Sequence, residues 1–199
     1  MIQNKTDYRY YLNRDALCFK EVSGRAGFRN WLLNRLLSTP ISDQSQIWRY
    51  IKTLRKCEFY HNTRLSSSLC VGVKILLYLY NLHKLRKLSR ITGFQIHLNT
   101  IGPGLTIWHW GAIIINGNSR IGENVTIRPD VVVGFKDENG PAPIIGDNVT
   151  LNSGCRIIGN GIVIGDNVII APGAIVTKSF PSNCIVAGCP AKVIRYFNV

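Results

Sequence analysis

The amino-acid sequence predicts a mainly β protein: a parallel β-helix of about four to five coils over residues 95–199, preceded by a small basic α-helical domain over 1–94. Three observations predict it. Aliphatic residues recur every six positions in the second half. Glycine and asparagine punctuate the same stretch. Lysine and arginine crowd the first half, where apolar residues fall at helical spacing instead.

The repeat is carried by Ile101, Ile107, Ile113; Ile121, Ile127, Val133; Ile145, Leu151, Ile157; and Ile164, Ile170, Val176. Four residues after many of these anchors stands a small or branched residue, as in Val125, Val131, Val149, Cys155, Val168 and Ala174. Glycine often follows the anchor directly, at Gly102, Gly122, Gly134, Gly146 and Gly165. A coil with three flat sides, one hexapeptide to a side, explains all three features: the anchor points inward and stacks on its equivalents in the neighbouring coils. One coil buries nothing and several make a core. The extra residues fall after Ile113, Val133 and Ile157, so every insertion is expected to leave from one corner.

The first half reads as helical from Trp31, Leu32, Leu36, Leu37 and from Ile75, Leu79, Leu82, Leu85, Leu88. The stretch 65–90 has two readings. It is either a core helix with a solvated face, or a helix lying in a membrane interface with Lys84, Arg86, Lys87 and Arg90 toward headgroups.

Composition narrows the function classes. The net charge is +13, yet 1–94 hold 17 Lys/Arg against 5 Asp/Glu while 95–199 hold 7 against 6. Such a basic half attracts anionic lipid, nucleic acid or a phosphorylated substrate. No nucleic-acid reading motif accompanies it, which favours lipid or an anionic substrate. No apolar run reaches the length of a bilayer span and the opening lacks a secretory core, so the expected location is cytoplasmic; only the interfacial reading of 65–90 adds peripheral contact at the inner membrane face. The six cysteines (Cys18, Cys57, Cys70, Cys155, Cys184, Cys189) form no CxxC pair, so they are read as reduced, mostly packed thiols and no metal site is expected.

The segments IGPGLTIWHWGAIIINGNSRIGENVTI, IIGDNVTLNSGC, IVIGDNVIIAPGAIVTKSFP and AGCPAKVI resemble the hexapeptide-repeat acyltransferases, with serine O-acetyltransferases and capsule or colanic-acid type O-acetyltransferases as the nearest members. The resemblance covers about residues 92–195. It implies a left-handed β-helix, an exception to the usual handedness of parallel crossovers, a homotrimer with active sites between subunits, and acetyl-CoA as acyl donor.

Acyl transfer to a hydroxyl needs a base for the proton and donors for the oxyanion. Of His61, His83, His97 and His109, only His109 sits in the pattern Ile107-Trp108-His109-Trp110-Gly111, which matches the family's I-x-H-x-G. On the residues alone, His109 is either a base or an exposed side chain between tryptophans that cover the coil's end. The resemblance implies the base. Counting two residues past each anchor puts Pro129, Ser153 and Pro172 in the same column as His109, a small-residue shelf, and the resemblance implies that this column lines the pantetheine arm of acetyl-CoA. Gly134 and Ser153 are then candidates for backbone contacts, with Lys178 or Lys192 near the phosphates. Relatives place an acid about fourteen positions before the histidine. Here that position is Gln95, which can hold the imidazole tautomer but brings no charge, so the expectation is either a weaker base than usual or help from Asp130.

The acceptor is less determined. The resembled serine enzymes carry an Arg-His pair in the loop after the second coil, where this chain has residues 135–143 with Lys136 and neither member of the pair. A serine carboxylate is normally met by arginine geometry. The expected acceptor is therefore a sugar hydroxyl on a lipid- or nucleotide-linked saccharide of surface-polysaccharide synthesis. L-serine is the alternative, and a non-catalytic trimeric scaffold, suggested by Gln95, is the second.

Overall fold

A computed structural model describes residues 1–23, 43–64, 71–137 and 140–197, the side chains of 19–23 and 43 excepted. The candidate apolar positions Trp31 to Leu37, and residues 65–70 of the basic stretch, lie outside the described residues. Among the described residues three helices come first: α1 (Lys5–Ser23), α2 (Asp43–Thr63) and α3 (Val71–Thr92). Fourteen short strands follow, β1 (Phe94–Ile96) to β14 (Ala191–Tyr196).

The strands wind as a three-sided parallel coil. One side is the five-stranded sheet β1-β3-β6-β9-β12, the second is β4-β7-β10 extended by bridges at Ile101 and Phe180, and the third is β2-β5-β8-β11-β13-β14. Every neighbour is parallel except the closing β13–β14 hairpin. Five strands on the first side mark five coils.

Stacked anchors form the core. Ile107, Ile127, Leu151 and Ile170 follow one another in register, each with no exposed surface. On the first side the column is Ile96–Ile115–Val133–Ile157–Val176. Its member in the second coil is Ile115, not Ile113, which pairs with Val131 instead. The insertions after Val133 and Ile157 do share a corner, but the first one precedes Ile113. Spacing alone cannot separate Ile113 from Ile115, because both point inward on alternate positions of β3.

Two ladders hold the corners. At one, Gly102, Gly122, Gly146 and Gly165 stack so closely that a Cβ on Gly102 would approach the Gly122 carbonyl to 2.6 Å. At another, Asn124, Asn148, Asn167 and Asn183 all take positive φ, and each of the first three passes a side-chain amide hydrogen bond to the next. Asparagine suits both tasks, because it tolerates the left-handed region and carries a donor and an acceptor.

The helices sit on the first coil. Tyr50 of α2 meets Phe94 edge-on at 5.0 Å, and Ile47, Ile51, Leu54, Leu85 and Leu88 join the β-helix core as one cluster. Beside this apolar contact lies a buried charge network. Arg55 Nε donates to Asp15 Oδ2 at 2.8 Å, Nη1 to Glu58 Oε2 at 3.1 Å and to the Ile101 carbonyl at 2.9 Å, and Nη2 to the Gly102 carbonyl at 2.6 Å. Asp15 Oδ1 accepts the amides of Gly104 and Leu105, and Glu58 Oε1 accepts that of Asn99. Burial works against the Arg55 charge, but Glu58 and Asp15 outweigh it and raise the pKa of the guanidinium. All three side chains are almost fully buried, so the network stands or falls as a unit.

Candidate active site

The turn that carries His109 is irregular in a way the repeat does not announce. Ile107 pairs with Ile127 and Ile113 with Val131. Residues 108–112 therefore span a corner that residues 128–130 span in the next coil, two fewer. Gly111 is the residue stacked on Pro129, where an added Cβ would come within 2.8 Å of the proline Cβ. His109 and Trp110 are thus extra, and they leave the corner outward. This corrects the expectation that His109 is the direct equivalent of Pro129, Ser153 and Pro172: the imidazole stands beside that column, exposed, rather than in it.

The turn is anchored on the end of α3. The Gly111 amide donates to the Thr92 carbonyl at 3.2 Å and the Ile113 amide to the Gly93 carbonyl at 3.3 Å. Gly93 has φ +81°, and a Cβ there would lie 2.9 Å from the Gly111 carbonyl, so the helix-to-strand junction under the histidine requires glycine. On one flank Arg128 lies over the Trp108 ring at 5.7 Å. Trp108 also lines a groove of about 470 Å³ with Arg14, Leu17 and Cys18 of α1, and with Thr106 and Asn124 of the coil. Arg14 Nη2 donates to Asn124 Oδ1, capping the asparagine ladder.

The column next to His109 is regular and open. The Gly154 amide donates to the Pro129 carbonyl and the Gly173 amide to the Ser153 carbonyl. A Cβ on Gly173 would meet nothing within 4 Å. Pairing of Ile170 with Val186 carries the column on toward Gly188, and Lys192 pairs with Ala187 beside its end. His109, Ser153, Pro172 and Lys192 thus share one edge of the coil.

Gly134 and Lys178 lie elsewhere. Gly134 ends β6 at the far edge of the first sheet, also with open space around a Cβ, and Lys178 follows β12 at the same edge with its ammonium 5.8 Å from the Phe180 ring centre. The two groups of candidates therefore flank the first sheet on opposite sides. Gln95 is on that sheet, exposed in β1, and lines a groove of about 380 Å³ with Leu82, Arg86, Ser89 and His97. Among the described residues no hydrogen bond joins it to His109. Asp130 is nearer: its Oδ1 lies 3.6 Å from where a Cβ on Gly111 would stand. Burial, then the neighbouring Arg64, lower the pKa of His61, whose Nδ1 contacts that guanidinium.

Arg14 and Arg128, together with the Asp15–Arg55–Glu58 network, went unread in the sequence, and Trp108 reads there only as a cover for the coil's end. Apart from Glu58, three positions from Arg55, their partners lie 20 to 110 positions away and repeat nowhere, so no period marks them; the run of basic residues was the only trace.

No family model matches the chain. The chain is 38% identical over 107 residues to a serine acetyltransferase of Staphylococcus xylosus, covering 52% of this chain and 49% of that protein. It is 35% identical over 114 residues to a serine acetyltransferase of Synechococcus elongatus, covering 55% and 46%. The chain spans about half the length of these curated relatives. Among solved structures, serine acetyltransferase from Brucella abortus superposes with a TM-score of 0.71 at 24% identity, covering 98% of this chain and 71% of that one. The same enzyme in complex with coenzyme A gives 0.65 at 22%, covering 98% and 70%. Neisseria gonorrhoeae serine acetyltransferase in complex with serine gives 0.66 at 24%, covering 96% and 70%. In sequence and in fold, then, the chain is similar to the serine O-acetyltransferases and shares their left-handed parallel β-helix of hexapeptide repeats.

Proposed function

We propose that this chain is an O-acetyltransferase that moves the acetyl group of acetyl-CoA to a hydroxyl, with His109 as general base. The observation that carries the reading is the outward His109 turn beside the open Pro129–Ser153–Pro172 column, in a chain similar to serine acetyltransferases. The imidazole takes the hydroxyl proton as that oxygen attacks the thioester carbonyl, and returns it to the departing thiolate sulfur. Asp130 supplies the carboxylate field near the turn, and Gln95 is left the part of fixing a tautomer, within or across subunits. Ser153 and Pro172 form the bed of the pantetheine arm with Lys192 toward its phosphates, and Gly134 and Lys178, across the first sheet, serve the arm bound against a neighbouring subunit. Related structures that hold coenzyme A support this donor.

Serine is the favoured acceptor, in place of the saccharide first expected, because the matched relatives are serine acetyltransferases and one structural neighbour holds serine. One observation keeps the saccharide as a second reading. The loop after the second coil offers Lys136, exposed, with its amide bonded to Asn160 Oδ1, where an arginine fork would suit a carboxylate. We further propose a homotrimer, supported by the outward, exposed Ile114 and Ile158 of the first sheet and Ile144 and Val163 of the second. No described helix is long and apolar enough to cross a membrane.

The test is release of coenzyme A from acetyl-CoA with L-serine and with a panel of saccharides. Turnover with serine that falls about 10²- to 10⁴-fold in kcat in His109→Ala, the usual worth of a general base, is the expected result. Turnover confined to sugars moves the acceptor to the second reading. No turnover with any acceptor leaves a scaffold and overturns the proposal.

A further inference from the structure

Helices α2 and α3 pack antiparallel: Lys74 at the start of α3 donates to the carbonyl of Thr63 at the end of α2, and Gln46 and Arg49 near the start of α2 face Lys84, Lys87 and Ile91 near the end of α3. One stripe of α3 turns away from the core at helical spacing: 73, 76, 77, 80, 84, 87 and 91. Its first four members are apolar and bare. Val73 is 59% exposed, Leu76 68%, Leu77 37% and Tyr80 66%. Its later members are Lys84, Lys87 and the exposed Ile91.

Beside this stripe α2 presents Arg49, Lys52 and Lys56, again at helical spacing. Arg49, Lys84 and Lys87 line a cleft of about 350 Å³ floored by Leu88 and Ile91. Among the described side chains no carboxylate pairs with these cations. Val71–Thr92 contains no acidic residue, and Glu58 of α2 is buried against Arg55. Burial lowers the pKa of the Lys52 ammonium, and Lys56, Lys84 and Arg49 lower it further, so the cations press on one another. The surface is therefore an apolar distal half joined to a basic half, an exposed apolar patch side by side with a cluster of like charges.

We propose that this α2–α3 face docks on an anionic lipid bilayer, with Val73, Leu76, Leu77 and Tyr80 entering the headgroup–acyl boundary and Arg49, Lys52, Lys84 and Lys87 meeting the phosphates. A bilayer surface supplies both halves at once, a boundary for apolar side chains and a plane of negative charge. A second copy of this face does not, because it would set five cations against five. Neither helix is apolar enough to span the bilayer, so the hairpin lies on it.

The experiment is co-sedimentation of the full chain with vesicles of phosphatidylglycerol and phosphatidylethanolamine, and with phosphatidylcholine vesicles. Acetyl transfer plays no part in the readout, so the result is separate from the proposed activity. Binding is expected only to the anionic vesicles, weakening with salt. It should fall about fivefold for each of Lys84→Gln and Lys87→Gln, and be lost in Leu76→Ser/Tyr80→Ser, where every cation remains. No binding to anionic vesicles, or equal binding by all variants, overturns the proposal. So does a change of oligomeric state in Leu76→Ser/Tyr80→Ser without vesicle binding, which assigns the face to a second copy. Binding of a short RNA as tight as that of vesicles, and insensitive to Leu76→Ser/Tyr80→Ser, overturns it as well.

Discussion

The β-helix and the helical cap on its first coil are stabilised in opposite ways. In the coil, each inward aliphatic repeats a contact that the coils above and below also make. Ile127 between Ile107 and Leu151 is one rung of a ladder, and losing part of a rung leaves the others in place. The junction with the helices has no such redundancy. Asp15, Arg55 and Glu58 come from two helices and meet the backbone of Asn99 to Leu105 once, with no exposed surface to let water replace a missing partner. A repeat spreads its energy, whereas a junction concentrates it.

The sharpest way to break this contrast is Arg55→Met, which strands two buried carboxylates. We expect a loss of about 3–5 kcal/mol, read by urea unfolding. A loss under 1 kcal/mol would show that the apolar contact of Tyr50 with Phe94 holds the cap by itself. The same network fixes residues 99–105 just before β2, so the His109 turn should loosen too, and kcat should fall more than KM changes.

In the coil, Ile127→Val removes one methylene from a ladder and should cost about 0.5–1.5 kcal/mol. A cost near that of Arg55→Met would mean the coils are as interdependent as the junction.

Each region also holds a buried thiol as a reporter. Burial pushes Cys57 of α2 and Cys155 of the coil from an ordinary 9.0 up to about 12. The folded pKa is the raised one, so the stability tied to each neutral thiol is complete below pH 9 and declines as pH rises from 9 to 12. Cys155→Ala should flatten part of that decline in unfolding experiments. At neutral pH, alkylation under native conditions should reach exposed Cys189 first among the described thiols. Arg55→Met should then speed modification of Cys57 several-fold while leaving Cys155 unchanged; equal acceleration of both would mean cap and coil open as one unit.

The smallest effect belongs to the asparagine ladder. Asn148→Gly loses two exposed amide hydrogen bonds but keeps the positive φ of 55° without strain, for a cost of about 1 kcal/mol or less. Asn148→Ala, which retains the strain, should cost more, and thermal unfolding of the pair separates conformation from hydrogen bonding.

Cysteines show how the two readings divide. The absence of paired spacing suggested packed thiols, and Cys57, Cys155 and Cys184 are buried. The leucines of α3 divide the other way. Ile75, Leu79, Leu82, Leu85 and Leu88 form one apolar series in the sequence, yet Leu85 and Leu88 are core while Ile75 and Leu79 face outward. A helical period reports a face, and only the neighbours decide how far along the helix that face is covered.

By itself the sequence determined the coil, its three sides and the inward aliphatics, because a hexapeptide period is local and repeated, so every coil restates the same rule; His109 stands out by its resemblance to the I-x-H-x-G motif and not by the period. Tertiary structure alone decided three things. It pushed His109 two residues out of the regular corner, since register is set by backbone pairing with Val131 and not by counting. It brought Arg14 to Asn124 and Asp15 to the amides of Gly104 and Leu105. It also parted Gly134 and Lys178 from Ser153 and Lys192 across a sheet. Each is a single contact between distant positions, and a contact made once leaves no pattern in the chain.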